Sequence, residues 1–246
     1  MEKINNLRNK FKKYNLDGYL VPKNDEYFSE FVPEHKDNLR LISKFSGSYG
    51  LALILKKNNY LFVDGRYTVQ ASNQSGKNFK IITLPIKNKY KKLKNKKIGF
   101  NPKLFNSNSI DLFSKKLDIR CVAINDNLIK PIKEKNNKIK NKSFFYILDK
   151  TVTGKSSANK IKNLQNKLSK DNIDIMFISS PENIAWLLNI RGWDSDFSPI
   201  PNCFLIIDKH NKLFLFCDLE KINNKFRRIF KFLNILEINK IEENLK

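Results

Sequence analysis

Ile4, Leu7, Phe11 and Tyr14 recur at three- and four-residue spacing with Lys and Asn between them, the pattern of a helix that buries one face. Asn15-Leu16-Asp17-Gly18 closes that helix, and Gly18 is expected to supply a left-handed cap. Tyr19-Leu20-Val21 then reads as a short buried strand stopped by Pro22. The same order returns far along the chain. A helix is predicted over 157–170, followed by Asp171-Asn172-Ile173-Asp174, a strand at Met176-Phe177-Ile178 and the stop Ser179-Ser180-Pro181. At a constant offset of 157 residues, Leu7 falls on Leu164, Asn9 on Asn166, Lys10 on Lys167, Asn15 on Asn172 and Asp17 on Asp174. An apolar hairpin also repeats. Residues 51–55 and 60–63 flank Lys57-Asn58-Asn59 and end at Asp64; residues 204–207 and 213–217 flank Lys209-His210-Asn211 and end at Asp218. Helix, strand, helix and hairpin occurring twice argue for a duplicated unit.

After the first hairpin the pattern predicts a helix over 67–74, strands near 81–84 and 98–100, a helix over 110–117 and a strand over 119–124. Strands alternating with helices specify an α/β fold, here a mixed sheet flanked by helices, built twice. Residues 130–142 are charged and poor in apolar side chains, as a linker is. We divide the chain into a first domain over 1–140, a linker over 141–153 and a second domain over 154–246. Thr153, Ser156 and Ser157 offer hydroxyls to cap the helix that opens it. The run 87–97 holds seven Lys and one Tyr and reads as a solvated loop or sheet edge. The second domain looks truncated. A strand over 234–238 and the start of a helix over 241–245 come last, with no closing elements.

Charge changes the picture less than its size suggests. The chain of 246 residues carries 47 Lys plus Arg against 24 Asp plus Glu, a formal net charge of +23. Forty of the basic residues are Lys and seven are Arg, beside 33 Asn and frequent Ile, the mixture that A/T-rich codons encode. Nucleic-acid readers rely on the planar fork of Arg, so specific nucleic-acid binding is not expected; salt-sensitive, nonspecific adhesion is. No run of 18 apolar residues suggests a membrane span, and residues 1–15 lack the apolar core of a signal peptide. Cys121, Cys203 and Cys217 are too far apart and too few for a disulfide framework, which suits a cytoplasmic setting.

Most catalytic templates fail. His35 and His210 are the two histidines, so a multi-His metal site is excluded, and no paired-Cys zinc spacing occurs. Ser46-Gly47-Ser48 lacks the Lys-Ser/Thr of a phosphate loop and reads as a tight turn feeding the next strand. The most pointed local feature is Phe62-Val63-Asp64-Gly65-Arg66-Tyr67, where a strand ends in Asp-Gly and delivers Arg and Tyr. Arg66 placed there can clamp a carboxylate or peptide carbonyl, or it can pair with a neighbour such as Asp64 and cap the sheet. Farther on, Pro181 starts a helix with Ile184, Leu187 and Leu188 on one stripe and Trp186 on another face. Gly192 is expected to end it. Trp193-Asp194-Ser195-Asp196-Phe197-Ser198-Pro199 follows as an acidic, aromatic loop suited to a cleft, an interface or simple packing.

These residues carry a family resemblance. Leu16-Asp17-Gly18-Tyr19-Leu20-Val21-Pro22, Ser29-Glu30-Phe31-Val32-Pro33-Glu34, Leu41-Ile42-Ser43-Lys44-Phe45-Ser46-Gly47-Ser48, the strand end at 62–67 with Gln70-Ala71, and Ile184-Ala185-Trp186-Leu187-Leu188-Asn189-Ile190-Arg191-Gly192 with Asp194 run in order over nearly the whole chain. Together they resemble the non-catalytic N-terminal portion of Xaa-Pro aminopeptidase (aminopeptidase P), in the creatinase/prolidase group. The resemblance implies two creatinase-type N-terminal α/β domains, the second truncated here. In such enzymes a C-terminal metallopeptidase domain holds two metal ions, commonly manganese, through two Asp, one His and two Glu. No residue of this chain matches those ligands, so neither a catalytic residue nor a metal ligand is assigned, and no cofactor is expected in this chain.

The resemblance also implies a role in dimerisation and in limiting active-site access to short peptides with proline in second position. Asp64, Arg66 and Tyr67 match the strand-end motif and become the substrate-contact candidates. Trp186, Trp193 and Phe197 become the interface candidates, with Trp193 standing where many relatives carry a small residue. The expected partner is a second copy or a separate catalytic domain, with no hydrolysis by this chain alone. The alternatives are a stand-alone interaction module derived from the peptidase, or a nonspecific basic nucleic-acid binder.

Overall fold

The computed structural model describes residues 2–86, 93–126, 128–129, 143–195, 197–209 and 212–244. The chain divides into two compact units, Met1–Lys135 and Asn136–Lys246. In the first, chain order runs α1 (Glu2–Phe11), β1 (Gly18–Pro22), α2 (Asn38–Ser43), β2 (Gly50–Leu55), β3 (Asn59–Val63), α3 (Thr68–Ser75), β4 (Lys80–Thr83), β5 (Lys97–Phe100), α4 (Ser107–Leu117) and β6 (Arg120–Ala123). The six strands form one mixed sheet in the order β4-β3-β2-β1-β5-β6. The central pairs β1–β2 and β2–β3 are antiparallel; β3–β4, β1–β5 and β5–β6 are parallel.

Successive residues of β2 point to opposite faces, and each face has its own core. Ala52 and Ile54 pack with Ile4, Leu7 and Phe11 of α1, Leu39 and Ile42 of α2, and Phe45. Leu51, Leu53 and Leu55 pack with Leu20, Phe62, Ile98 and the α4 residues Ile110 and Leu117. Arg8 on α1 clasps the hairpin, its Nε donating to Leu55 O at 2.9 Å and its terminal Nη2 to Asn59 Oδ1 at 3.0 Å. The expected cap at Gly18 is replaced by Asn15. Asn15 takes φ +50°, and Leu16 N donates back to Phe11 O at 2.9 Å. Gly18 instead opens β1, where a Cβ would lie 2.6 Å from Ile54 O, so close strand approach requires the glycine. In the Lys-rich run, residues 87–92 lie outside the described residues. Lys94 and Asn95 are exposed, as a solvated loop has it, whereas Leu93 is fully buried in the second core and Lys97 begins the interior strand β5.

The second unit holds β7 (Tyr146–Ile147), α5 (Lys150–Thr153), α6 (Ser157–Lys170), β8 (Ile175–Ile178), α7 (Pro181–Leu188), β9 (Ile190–Arg191), β10 (Cys203–Asp208), β11 (Leu213–Cys217), α8 (Asn224–Ile229), β12 (Leu233–Leu236) and α9 (Ile241–Asn244). Its main sheet has the order β12-β11-β10-β8, and β7 pairs antiparallel with β9 as a separate ribbon. Residues 130–142 lie outside the described residues. Residues 143–153, read from the sequence as part of a linker, form β7 and the surface helix α5, and Phe145 is buried in this unit's core. The helix expected to end at Gly192 ends at Asn189, which takes φ +55°, because the polar side chain tolerates that conformation. Gly192 serves close packing, a Cβ there falling 2.8 Å from Pro201 Cα.

The duplication is present in the backbone. Asn172 takes φ +54° as Asn15 does, and Ile173 N donates to Leu168 O at 2.8 Å, repeating the closure of α1. The antiparallel pairs β8–β10 and β10–β11 match β1–β2 and β2–β3. Tyr60 faces Lys80 across β3–β4 and Leu213 faces Leu233 across β11–β12, the same step along the chain in parallel pairing. Each unit is thus an α/β fold with a mixed sheet flanked by helices.

Candidate functional site

The carboxyl end of β3 is built from local hydrogen bonds. Asp64 leaves the strand in extended conformation, and its Oδ1 accepts from Arg66 N at 2.9 Å, which folds Gly65–Tyr67 into a 3₁₀ turn leading to α3. The same Oδ1 accepts from Arg66 Nε at 2.9 Å. The Arg66 side chain holds the Asp64 carboxyl below the usual carboxylate range, with its backbone N–H adding to the effect, and Asp64 raises the guanidinium in return. Both readings of Arg66 therefore coexist. Nε is committed to Asp64, while the two terminal amino groups make no hydrogen bond among the described residues and the side chain is 75% exposed. That end of the fork is free to take a carboxylate or carbonyl.

Tyr67 is fixed from two sides. Its hydroxyl shares a 2.7 Å hydrogen bond with Ser48 Oγ, and its ring meets Phe45 edge-on at 5.8 Å. The Arg66 guanidinium lies 5.6 Å from the Tyr67 centroid. The turn 46–48 is tied to α3 by Ser46 N to Gln74 Oε1 at 2.9 Å and by Gln70 Nε2 to Ser46 Oγ at 2.9 Å. Gly47 is required there, since a Cβ would stand 2.3 Å from Phe45 Cζ. Asp64, Arg66 and Tyr67 are thus brought together on one turn beside the exposed Tyr49.

Two of the three candidates in the second unit, Trp186 and Trp193, have ring partners of their own. Trp186 is 61% exposed on α7, and Lys160 Nζ sits 4.2 Å from its ring centroid. Trp193 is exposed and stacks on Tyr146 at 6.3 Å. Phe197 is 75% exposed. Trp186 is paired with Lys160 and Trp193 with Tyr146, rather than with one another.

Sequence reasoning missed what organises this side. Lys160 is buried, and its ammonium donates to Trp186 O at 2.8 Å and Asn189 Oδ1 at 2.7 Å, at the carboxyl end of α7 where cations are favoured. Asn189 Nδ2 continues to Lys155 O at 2.9 Å and Thr153 Oγ1 at 3.1 Å. Arg191 crosses back to Ala185 O at 3.1 Å and Ile190 O at 2.8 Å. Asp194 pins the aromatic loop through an ion pair with Lys221 and by accepting from Asn202 N at 2.7 Å. The signal was available for Lys160, which falls one position before Ile161 and on the face of Leu164 and Leu168.

Each unit matches its own family model, both described as the creatinase/prolidase N-terminal domain, over residues 3–130 and 135–246. The chain belongs to the creatinase/prolidase N-terminal domain family. Its relatives include Xaa-Pro aminopeptidase 1 of Dictyostelium discoideum, 31% identical over 91% of this chain and 38% of that protein. A probable Xaa-Pro aminopeptidase P of Laccaria bicolor is 26% identical over 99% of this chain and 40% of that protein. The chain spans about two fifths of the length of these curated relatives. The crystal structure of the Caenorhabditis elegans X-prolyl aminopeptidase, described as a cytosolic enzyme with a di-nuclear active site, superposes with a TM-score of 0.87 at 24% identity. That match covers 99% of this chain and 43% of that one, and it establishes the shared fold.

The described residues do not offer the clustered donor set of a two-metal centre. Among the described residues, no three His, Cys, Asp or Glu side chains gather where they could hold a metal ion. Among the described residues, no helix is long and apolar enough to cross a membrane.

Proposed function

We propose that this chain is the non-catalytic N-terminal portion of an Xaa-Pro aminopeptidase-like metallopeptidase. In this reading it pairs with a second copy and shapes access to an active site for peptides with proline in second position. The two-metal centre, commonly manganese, belongs to polypeptide outside these two units, and the setting is cytoplasmic. The observation that carries the reading is the run of two consecutive creatinase/prolidase N-terminal domains aligned with Xaa-Pro aminopeptidases over 91–99% of the chain. The open fork of Arg66, oriented by Asp64 beside Tyr67, supports a contact with a peptide carboxylate or carbonyl. The exposed aromatics Trp186, Trp193 and Phe197 support an interface.

The test is a chimera in which this chain replaces the matching part of the Dictyostelium discoideum Xaa-Pro aminopeptidase 1. The chimera is expected to cleave Xaa-Pro peptides with added Mn²⁺, whereas this chain alone with the same ion does not. Arg66→Ala in the chimera is expected to raise KM about tenfold with little change in kcat, as loss of a ground-state contact does. A folded chimera without activity overturns the reading, as does hydrolysis by the chain alone.

A further inference from the structure

In the first unit polar groups bridge the gap between α1, the hairpin β2–β3 and the segment entering β4. Arg8 Nε donates to Leu55 O at 2.9 Å, Arg8 Nη2 to Asn59 Oδ1 at 3.0 Å, and Asn59 Nδ2 to Asn78 O at 2.9 Å. The strand registers place the counterparts of these residues. Ile54 faces Asn59 as Ile207 faces Leu213, and Leu61 faces Ile81 as Leu215 faces Ile235. With α6 aligned on α1 at the offset of 157, Arg8 becomes Gln165, Asn59 becomes Leu213 and Asn78 becomes Phe232. One tie survives: Gln165 Nε2 donates to Asp208 O, the counterpart of Leu55 O, at 3.3 Å. A groove of about 450 Å³ lies at this position of the second unit. Buried Ile161 and Leu213 line it with the exposed Phe232, the buried Gln165, and Lys162 and Lys209. Lys209 pairs with Asp174, whereas Lys162 makes no hydrogen bond or ion pair among the described residues. Among the described residues, no Asp or Glu lines the groove.

We propose that this groove binds a small aromatic monocarboxylate, its ring against Leu213 and Phe232 and its carboxylate toward Lys162. A concave site of this size, apolar with a few polar groups, is the usual form of a small-molecule pocket. Leu213 in place of Asn59 exchanges a hydrogen-bonding wall for an apolar one, and the exposed Phe232 ring offers a stacking face. Two ammonium groups and no carboxylate border the space, so charge complementarity selects an anion. A guanidinium from a partner, the group that fills this position in the first unit, would meet Lys162 and Lys209. It would also find Leu213 where Arg8 finds Asn59 Oδ1. The inference rests on the repeat and the groove, and it goes beyond the peptidase reading.

The experiment is a titration of the whole chain with 4-phenylbutyrate at physiological salt, followed through the backbone amide shifts of 161–169 and 213, with neutral 4-phenylbutyramide as the control. Saturable shifts are expected there, with the amide bound about fivefold more weakly, as loss of one exposed ion pair allows. Lys162→Glu is expected to weaken the carboxylate by about fivefold with no change in Tm, and Phe232→Ala to weaken both ligands. Gln165→Arg, which restores the first unit's bridging group, is expected to fill the groove and abolish the shifts. Absence of saturable shifts in the folded chain overturns the proposal, as do equal affinities for carboxylate and amide. Binding that survives both Gln165→Arg and Lys162→Glu also overturns it, in favour of nonspecific attraction to a chain of net charge +23. None of these readouts involves peptide hydrolysis, so failure of the chimera leaves them unaffected.

Discussion

Asp64 and Asp218 stand at the same point of the two units. Each follows the second strand of the hairpin, and each accepts from the backbone N two residues on, Arg66 at 2.9 Å and Glu220 at 3.0 Å. At Asp64 the carboxylate also holds the Arg66 side chain, while at Asp218 no such fork follows. The repeat has kept the turn and differentiated its chemistry.

Asp218→Ala is therefore expected to cost about 1 kcal/mol, the usual worth of a cap. Thermal unfolding should register a Tm lower by about 2–4 °C. Asp64→Ala is expected to lower Tm and to release Arg66 as well, which in the chimera raises KM along with the Arg66 variant. A chimera carrying Asp64→Ala with unchanged KM would mean that Asp64 does not orient Arg66 for substrate.

Lys160→Met removes a buried ammonium and leaves Asn189 Oδ1 without its donor. The expected loss is about 1–2 kcal/mol at neutral pH, an orphaned acceptor partly offset by relief of the buried charge. Burial, reinforced by Arg191 and Lys155, holds the Lys160 pKa below its ordinary 10.5. Between that lowered value and 10.5 the unfolded chain binds more protons than the folded one, so Lys160 makes stability rise with pH through this window. Denaturant titrations of both proteins from neutral pH upward should show the gap between them widening toward 10.5.

Gly47→Ala is expected to destabilise the first unit by about 1–3 kcal/mol, because the new methyl meets the ring of the fully buried Phe45. Displacing Phe45 also disturbs the edge contact that fixes Tyr67. Chemical denaturation reads the first effect, and the amide exchange rates of 65–67 read the second.

Much of the fold was legible because it was written twice. The Asn15/Asn172 alignment, the helix over 157–170 and the two hairpins came from periodicity and repeated turn residues. Strand order was not legible, since nothing in Tyr19-Leu20-Val21 says that β5 joins it in parallel. β7 and β9 are two residues each, too short for any alternation to show. The site divides in the same way. Asp64-Gly65-Arg66-Tyr67 is local and was readable, whereas Lys160, Asn189 and Asp194 act through partners 26 to 29 residues away. Lysine abundance hid the one that is buried.

The three cysteines are free, and Cys203 and Cys217 face each other across β10–β11. Burial pushes the Cys217 thiol up to about 12, raises Cys203 well above its ordinary value and lifts Cys121 to about 11. A thiol-specific disulfide reagent near neutral pH is expected to leave Cys203 and Cys217 unmodified in the native protein and to react with all three after unfolding. Rapid native labelling of Cys217 would contradict the packing of β11.

Arg8 bridges two acceptors across a hairpin, Arg66 divides its fork between Asp64 and solvent, and Arg191 spans two carbonyls of its own turn. In a chain where 40 of 47 cations are lysine, Arg8 and Arg66 sit where the separate N–H groups of a fork, rather than a point charge, are used. At Arg8 one planar group fastens both strands of the hairpin through two separate nitrogens, so a substitution that kept the charge and lost the fork would undo one of its two ties.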